Sequence, residues 1–428
     1  MNDRGVVSSV RGMHDILPDD SFLWQDVEVQ MQNIFNQYGY KQIRTPLLES
    51  SKLFNHSIGE ITDIVSKEMY SFNDRSGESL SLRPEGTAST VRCVIQHSLT
   101  YKKIQKLWYN GTMYRYERPQ KGRYRQFHQA GCEVFGLISP AVEAELILLV
   151  NRLWQKLSID SDIELEINSL GDNNTRISHK KELLDYFNNN LSSLDEDSKK
   201  RLHTNPLRIL DTKNPAMAEL IKNAPNILDF LDDESKLNFN LFKDILQKNN
   251  VAYKINQNLV RGLDYYNRTV FEFKTTKLGS SDTICGGGRY DGLVEILGGD
   301  KTPACGFAIG IERVIELIIN RKKQIKKQKT DVYLIIKGDN VLPYANSISE
   351  SIHNSNLNLI VVQNMTNNSI KSQFKQADKS GAKLAIILGD DELSKNIVAI
   401  KFLKESEKPQ QNVAMSDLTL FIKEQFYD

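Results

Sequence analysis

The chain has 428 residues, 40% of them hydrophobic and 25% charged, with a formal net charge of +1. That length calls for two or three domains with ample material for a core, and the balanced charge confines any nucleic-acid contact to local patches. Four scattered cysteines (Cys93, Cys132, Cys285, Cys305), with no Cys-x-x-Cys and no tight Cys/His cluster, argue against a structural zinc site or a disulfide framework and fit a reducing compartment.

The N-terminal segment MNDRGVVSSVRGMHDILP holds no apolar core of signal-peptide length, and no later run could span a bilayer. The expectation is a soluble, cytoplasmic protein with no membrane partner. Phe22, Leu23, Val27, Ile34 and Phe35 recur near helical spacing and predict a helix over 21–37. Residues 43–48 read as a strand; Pro46 cannot donate to a ladder, which puts that strand at an edge or interface. Ser81, Arg83, Glu85 and Thr87 fall on one parity ahead of a helix over 88–96. Ser139-Pro140 is a well-formed helix start, followed by the apolar stripe of Ile147, Leu148 and Trp154. A strand follows at 163–167.

From about 173 to 256 the chain turns Asn-, Lys- and Asp-rich with helical periodicity, which reads as an inserted helical module. Strands return at 268–275 and 304–309, with a glycine cluster at Gly286, Gly287 and Gly288 between them. The very basic run 321–329 reads as a solvated helix end and linker. Beyond it come VYLII, a helix, LIVV, a helix, LAIILG, IVAIKFL and a last amphipathic helix, which predicts a separate α/β domain with a mixed sheet over 326–428. Neither a P-loop nor a Rossmann fingerprint occurs, so a bound nucleotide would lie on an antiparallel sheet.

The most informative stretch is GTMYRYERPQKGRYRQFHQAGCEVFG at 111–136. It predicts two strands joined by a loop that holds Arg118, Lys121, Arg123 and Arg125, broken by Pro119 and Gly122. Because strand side chains alternate, Arg115 and Glu117 would share one face, and Phe127, Gln129, Gly131 and Glu133 another. Pairing those faces gives a surface with a guanidinium, two carboxylates, an amide, an aromatic ring and a gap, suited to a phosphorylated aromatic ligand beside a smaller hydrogen-bonding one. Arg115 has the fork that matches two phosphate oxygens, and Phe127 offers a stacking face. His128 has the opposite parity and is expected to be packed. A charged hairpin over a sheet edge would share many of these features. Glu85 and Thr87 would equally suit a helix cap, Arg261 an ion pair with Asp264 on a strand continuing into VFEF, the triple glycine a flexible turn, and Arg313 a helix surface.

Taken in order, RTP at 44–46, YRYE with its basic loop, RGLDYY at 261–266, GGGRYDGL at 286–293 and GIER at 310–313 resemble the class II aminoacyl-tRNA synthetases. RGLDYY and GGGRYDGL are similar to the two histidine-specific segments of the histidyl-tRNA synthetase family, and the resemblance extends over almost the whole chain from RGMHDILP onward. It implies an α+β fold: a catalytic domain over 1–325 built on a six- or seven-stranded antiparallel sheet with flanking helices, the insertion at about 173–256, and an anticodon-binding domain over 326–428. It implies a homodimer with its interface around Pro46. It further implies that Arg115, Glu117, Arg123, Phe127 and Arg313 bind ATP. Histidine would be held by Glu85, Thr87, Arg115, Gln129, Glu133, Arg261, Tyr265, Tyr266 and Tyr290. Glu85, Thr87 and Gln129 would take its amino group, and Glu133 with the three tyrosines its imidazole. Arg115, Gln129 and Arg261 would act on the reacting groups, Arg261 standing where related enzymes use a metal ion. Magnesium would arrive with ATP, not in a resident protein cage. The implied activity joins L-histidine to tRNA(His) by way of histidyl-adenylate, without hydrolytic editing, and the insertion would contact the acceptor arm. The alternative is a non-catalytic regulatory paralogue of ATP phosphoribosyltransferase in histidine biosynthesis.

Overall fold

The computed structural model describes every residue except 1–6, 59–61, 63, 213, 262, 264, 280–282, 322–328, 367, 406 and 428, and the elements below are those of the described residues. Most of the basic run at 321–329, together with Gly262 and Asp264, lies outside them. The chain divides into two units, Met1–Ile325 and Lys326–Asp428.

In the first unit the strands are β1 (Lys41–Gln42), β2 (Leu48–Ser50), β3 (Tyr70–Asn73), β4 (Ser79–Leu82), β5 (Gln105–Tyr114), β6 (Gln126–Phe135), β7 (Glu164–Ser169), β8 (Lys254–Ile255), β9 (Asn267–Lys274), β10 (Thr283–Arg289) and β11 (Ala304–Gly310). Eight of them form one sheet in the order β1-β5-β6-β11-β10-β9-β7-β8. The strands from β5 to β7 pair antiparallel, and the two-residue strands β1 and β8 add parallel edges. A smaller sheet is ordered β2-β4-β3.

Period-two alternation gives the large sheet two different faces. Ala130, Cys132, Val134, Phe271, Phe273, Cys305, Phe307 and Ile309 face the helices Pro18–Gln37, Ala141–Leu157 and Ile311–Asn320, which contribute Val27, Met31, Phe35, Ile147, Val150, Trp154 and Val314 to the same core. The other face carries the polar residues described below. Apolar packing on one side thus fixes the register of polar groups on the other.

Several local expectations differ in detail. Residues 43–47 are not a strand: between β1 and β2 the chain is held by the guanidinium of Arg83, which donates to the Thr45 carbonyl (3.1 Å) and hydroxyl (2.8 Å) and to the Thr112 carbonyl (3.0 Å). β4 ends at Leu82, so Glu85 and Thr87 do not share a strand face. The described residues of 261–266 precede β9 and are not part of it. The triple glycine lies within β10, not in a turn.

Between β7 and β8 the helices Asn173–Asn189, Glu196–Thr204 and Ala218–Lys222 enclose a cluster of Leu183, Phe187, Leu202, Ile209 and Met217. The following helix, Asp233–Lys248, turns Phe239, Phe242 and Leu246 into the main core instead. Arg321 closes the helix Ile311–Asn320 and bonds to Asp162, to Ser161 and to the Ser158 carbonyl.

In the second unit, β12 (Val332–Lys337), β13 (Val361–Gln363), β14 (Leu384–Gly389), β15 (Ile397–Phe402) and β16 (Gln411–Ala414) form a mixed sheet ordered β13-β12-β14-β15-β16. The first three strands are parallel, and the last two run antiparallel. Helices Leu342–His353 and Leu418–Tyr427 cover one face, and Ile370–Ser380 the other. β16, with two exposed residues in four, gives no apolar signal in the sequence. Among the described residues no helix is long and apolar enough to cross a membrane.

Candidate active site

A cleft opens on the polar face of the large sheet. Its floor is paved with small residues. Register places Gly131 of β6 opposite Ala308 of β11 and Ala308 opposite Gly286 of β10; one row on, Glu133, Gly306 and Gly288 align. A Cβ on Gly286 would strike the guanidinium of Arg261, and one on Gly306 would strike the carboxylate of Glu133. These strands carry little side-chain bulk so that side chains from elsewhere can lie across them.

Behind the cleft wall formed by Thr87, Glu133 is fully buried. Thr87 Oγ1 donates to its Oε1 at 2.7 Å, and Tyr290 Oη donates to its Oε2 at 2.5 Å. Burial pushes its pKa up to about 8, against those two hydrogen bonds, with the nearby Glu85 carboxylate adding to the rise. Glu85 is also buried. Its carboxylate accepts the backbone N–H groups of Thr87 (2.7 Å) and Ala88 (2.6 Å), capping the helix Thr87–Gln96. Burial raises its pKa in spite of those bonds. Glu85 is therefore both a cap and a wall of the cleft, and Thr87 serves Glu133 with its side chain.

Tyr265, Tyr266 and Tyr290 form a buried aromatic cluster, with ring centroids of Tyr265 4.7 Å from Tyr266 and 5.6 Å from Tyr290. Arg261 lies over the Tyr266 ring at 5.4 Å. Its partner is Glu272 of β9, whose second oxygen accepts from Thr283 Oγ1 at 2.9 Å. Although burial alone would lower the pKa of this guanidinium, Glu272 and the two neighbouring phenols hold it above its ordinary value.

Across the cleft, Arg115 stands one residue beyond β5, where its N–H still bonds to the Arg125 carbonyl at 3.0 Å. Its Nε donates to the Pro84 carbonyl at 2.9 Å and its guanidinium lies 5.2 Å from the Phe127 ring centroid. Glu117 sits 4.0 Å from Arg115 and 3.7 Å from the more exposed Arg123. Arg313, in the first turn of the helix Ile311–Asn320, donates to the carbonyls of Gly122 and Thr283. The same helix grips the hairpin: Glu312 accepts the backbone N–H of His128 (2.9 Å) and contacts its ring (2.9 Å), and Glu316 accepts from Tyr124 Oη at 2.8 Å. His128 is accordingly a packed residue, edge-on to Trp24.

Gln129 also lines the cleft, and its Oε1 is buried with no hydrogen-bond partner among the described residues. The structure brings Glu85, Thr87, Arg115, Glu117, Arg123, Phe127, Gln129, Arg261, Tyr265, Tyr266 and Arg313 to one cleft wall or another, while Glu133 and Tyr290 lie behind the wall, joined to it through Thr87. Among the described residues no group of three His, Cys, Asp or Glu side chains is disposed to hold a metal.

Sequence reasoning missed three contributors. Tyr109 of β5 lies over Gly131, its ring and hydroxyl filling the space that a side chain there would need. Glu272 is the carboxylate that holds Arg261, and its presence in the apolar run VFEF was the available signal. Gly306 gives Glu133 its room, and the alternation of small residues Gly306, Ala308 and Gly310 along β11 could have found it.

The family model described as Histidyl-tRNA synthetase matches residues 12–314, and one described as Anticodon binding domain matches residues 331–425. The chain is 49% identical over 417 residues to a Histidine–tRNA ligase from Hydrogenovibrio crunogenus, covering 97% of each chain. It is 48% identical to one from Marinomonas sp., covering 97% of this chain and 98% of the relative. The crystal structure of apo S. aureus histidyl-tRNA synthetase superposes with a TM-score of 0.82 at 35% identity, over 97% of this chain and 100% of that one.

Proposed function

The chain belongs to the histidyl-tRNA synthetase family, and on that premise we propose that it is a histidine–tRNA ligase. It activates L-histidine with ATP to histidyl-adenylate and pyrophosphate, then transfers the histidyl group to the 3′ end of tRNA(His). The observation that carries the reading is the buried carboxylate of Glu133, held between Thr87 and Tyr290 directly behind a cleft walled on opposite sides by Arg115 and Arg261.

In the first step the histidine carboxylate attacks the α-phosphorus of ATP. Charge builds on the phosphate oxygens, and fixed cations plus positioning supply the stabilisation. Arg115 and Arg261 flank that centre. Each is already oriented, Arg115 by the Pro84 carbonyl and Arg261 by Glu272, so neither needs to be reorganised during the reaction. Phe127 and Arg313 form the adenine site, and Glu117 and Arg123 complete the nucleotide contacts. Glu85, Thr87 and Gln129 receive the α-amino group; the open Oε1 of Gln129 is an acceptor in need of a donor. Glu133 accepts an imidazole N–H, with Tyr265, Tyr266 and Tyr290 enclosing the ring. Magnesium accompanies ATP on the pyrophosphate side.

Selection of histidine rests on buried polar groups that an analogue without ring N–H would leave unpaired, which accounts for discrimination without an editing site. The unit Lys326–Asp428 holds the anticodon arm, the helices between β7 and β8 contact the acceptor arm, and the protein works in the cytoplasm as a homodimer paired around Pro46. The neighbouring Leu47 and Leu48 are both exposed apolar side chains, as such an interface needs. Near-full-length identity to ligases weighs against the regulatory paralogue of ATP phosphoribosyltransferase.

ATP–pyrophosphate exchange with each of the twenty amino acids tests the reading. Exchange with histidine alone is expected. Absence of exchange from folded protein would overturn it.

A further inference from the structure

Glu133 and Tyr290 meet behind the cleft wall although they come from strands that do not touch. Glu133 is on β6, Tyr290 follows β10, and β11 runs between them. Contact is made across Gly306, where a side chain would collide with Glu133. The lateral spacing of β6 and β10 therefore decides whether the 2.5 Å hydrogen bond forms.

On the opposite face, one row on, Arg289, Cys305 and Val134 align across the same strands. Arg289 there makes a second cross-strand link. Its Nε and Nη2 donate to the two oxygens of Glu143, at 2.6 Å each, in the first turn of the helix Ala141–Leu157. Nη1 donates to the Leu137 carbonyl (2.9 Å) and to Asp291 Oδ1 (3.1 Å), and Nη2 reaches the Ser139 carbonyl at 3.4 Å. Leu137 and Ser139 lie on the segment that leaves β6, and Asp291 on the one that leaves β10. One guanidinium thus ties the exits of both strands to one helix end.

The Tyr290 N–H bonds to the Ala304 carbonyl of β11 at 2.8 Å, and two further facts give the clamp its share in placing Tyr290. The pairing of β10 with β9 shifts register between Gly288 and Arg289, so the ladder on that side does not fix the end of β10. Both charged side chains are also nearly sealed, at 1% and 2% exposure. A buried ion pair gives little net stability over an apolar pair of the same volume, and register is its best-attested use. The planar fork makes bidentate contact that a lysine cannot copy.

We propose that Arg289 and Glu143 are a positioning pair for imidazole recognition: they touch no substrate, and they hold β6 and β10 at the spacing that lets Tyr290 orient Glu133. The inference rests on the histidine-binding role given to Glu133 above.

The test compares the full-length wild type with Glu143→Gln and Arg289→Lys in ATP–pyrophosphate exchange, using histidine and a ring-N-methylated histidine. Each variant should raise KM for histidine about 10-fold, by loosening a buried hydrogen bond to the imidazole, while KM for ATP stays within about 2-fold. The preference for histidine over the methylated analogue should fall by a similar factor. A merely weakened fold would reduce the active fraction and leave both ratios unchanged, and that result overturns the proposal. Should Arg289→Lys fail to fold, the isosteric Glu143→Gln decides the matter alone. A wild type that neither activates nor binds histidine by calorimetry would refute the underlying function instead, and a wild type that does so, beside variants with unaltered KM, would refute the positioning role.

Discussion

Glu133 concentrates the chemistry of the cleft in one carboxyl group. In the folded protein its pKa is about 8, against 4.5 for an ordinary glutamate, so the fold favours the protonated form. Stability from this group is then fully present below about pH 4.5 and lost as pH rises towards 8, at about 1.4 kcal/mol per pH unit for one proton. Urea unfolding of wild type and Glu133→Gln at pH 5 and pH 8 should show that loss in the wild type and a shallower dependence in the variant; parallel slopes would refute it. Gly306→Ala should abolish histidine-dependent exchange with little change in ATP binding, since the added methyl occupies the space of the Glu133 carboxylate. Arg261→Ala should slow activation by about 10² or more, as removal of other single electrostatic stabilisers does. A near-normal single-turnover rate would remove Arg261 from the mechanism. The variant also removes one of the two cations on Glu272, leaving Lys274 at 3.4 Å, so the measurement needs a fold control such as circular dichroism.

At the scale of elements, the parity of the hairpin was legible, because β6 is regular from Gln126 to Phe135 and alternation alone puts Gln129, Gly131 and Glu133 on one face. Arg115 and Glu117 were misread as strand residues. Strand pairing ends at Tyr114 with Gln126, and beyond it the loop is shaped by Gly12, which receives the Arg125 N–H at 2.7 Å. A Cβ at Gly12 would lie 2.8 Å from Pro119. Contacts from residues a hundred positions away leave no periodic trace. The helices between β7 and β8 were readable, since Asp172, Asp195 and Asp232 each accept the backbone N–H three residues on, of Thr175, Ser198 and Ser235. Asp172→Ala should destabilise the helix Asn173–Asn189 by about 1 kcal/mol, visible as faster amide exchange in that helix alone. Unchanged exchange there would deny the cap its role.

At the scale of the whole molecule, Met1–Ile325 and Lys326–Asp428 each have hydrophobic clusters of their own. The cleft proposed as the activation site draws its described lining from the first. A chain ending at residue 325 should therefore retain ATP–pyrophosphate exchange within a few-fold of the full protein, while charging of tRNA(His) falls by about 100-fold or more through KM, as loss of one tethered binding module demands. Equal loss of both activities would mean that the first unit does not stand alone.

The floor of small residues beneath the cleft has a genetic consequence. Every missense change at Gly131, Gly286 or Gly306 adds atoms where Tyr109, Arg261 or Glu133 already sits, so substitutions there damage the pocket before they can reshape it. If histidine binds here as proposed, an inhibitor that rests on this floor and spans Thr87 and Arg261 would leave the enzyme few routes to resistance, because the mutations that push the drug out would evict the amino acid as well.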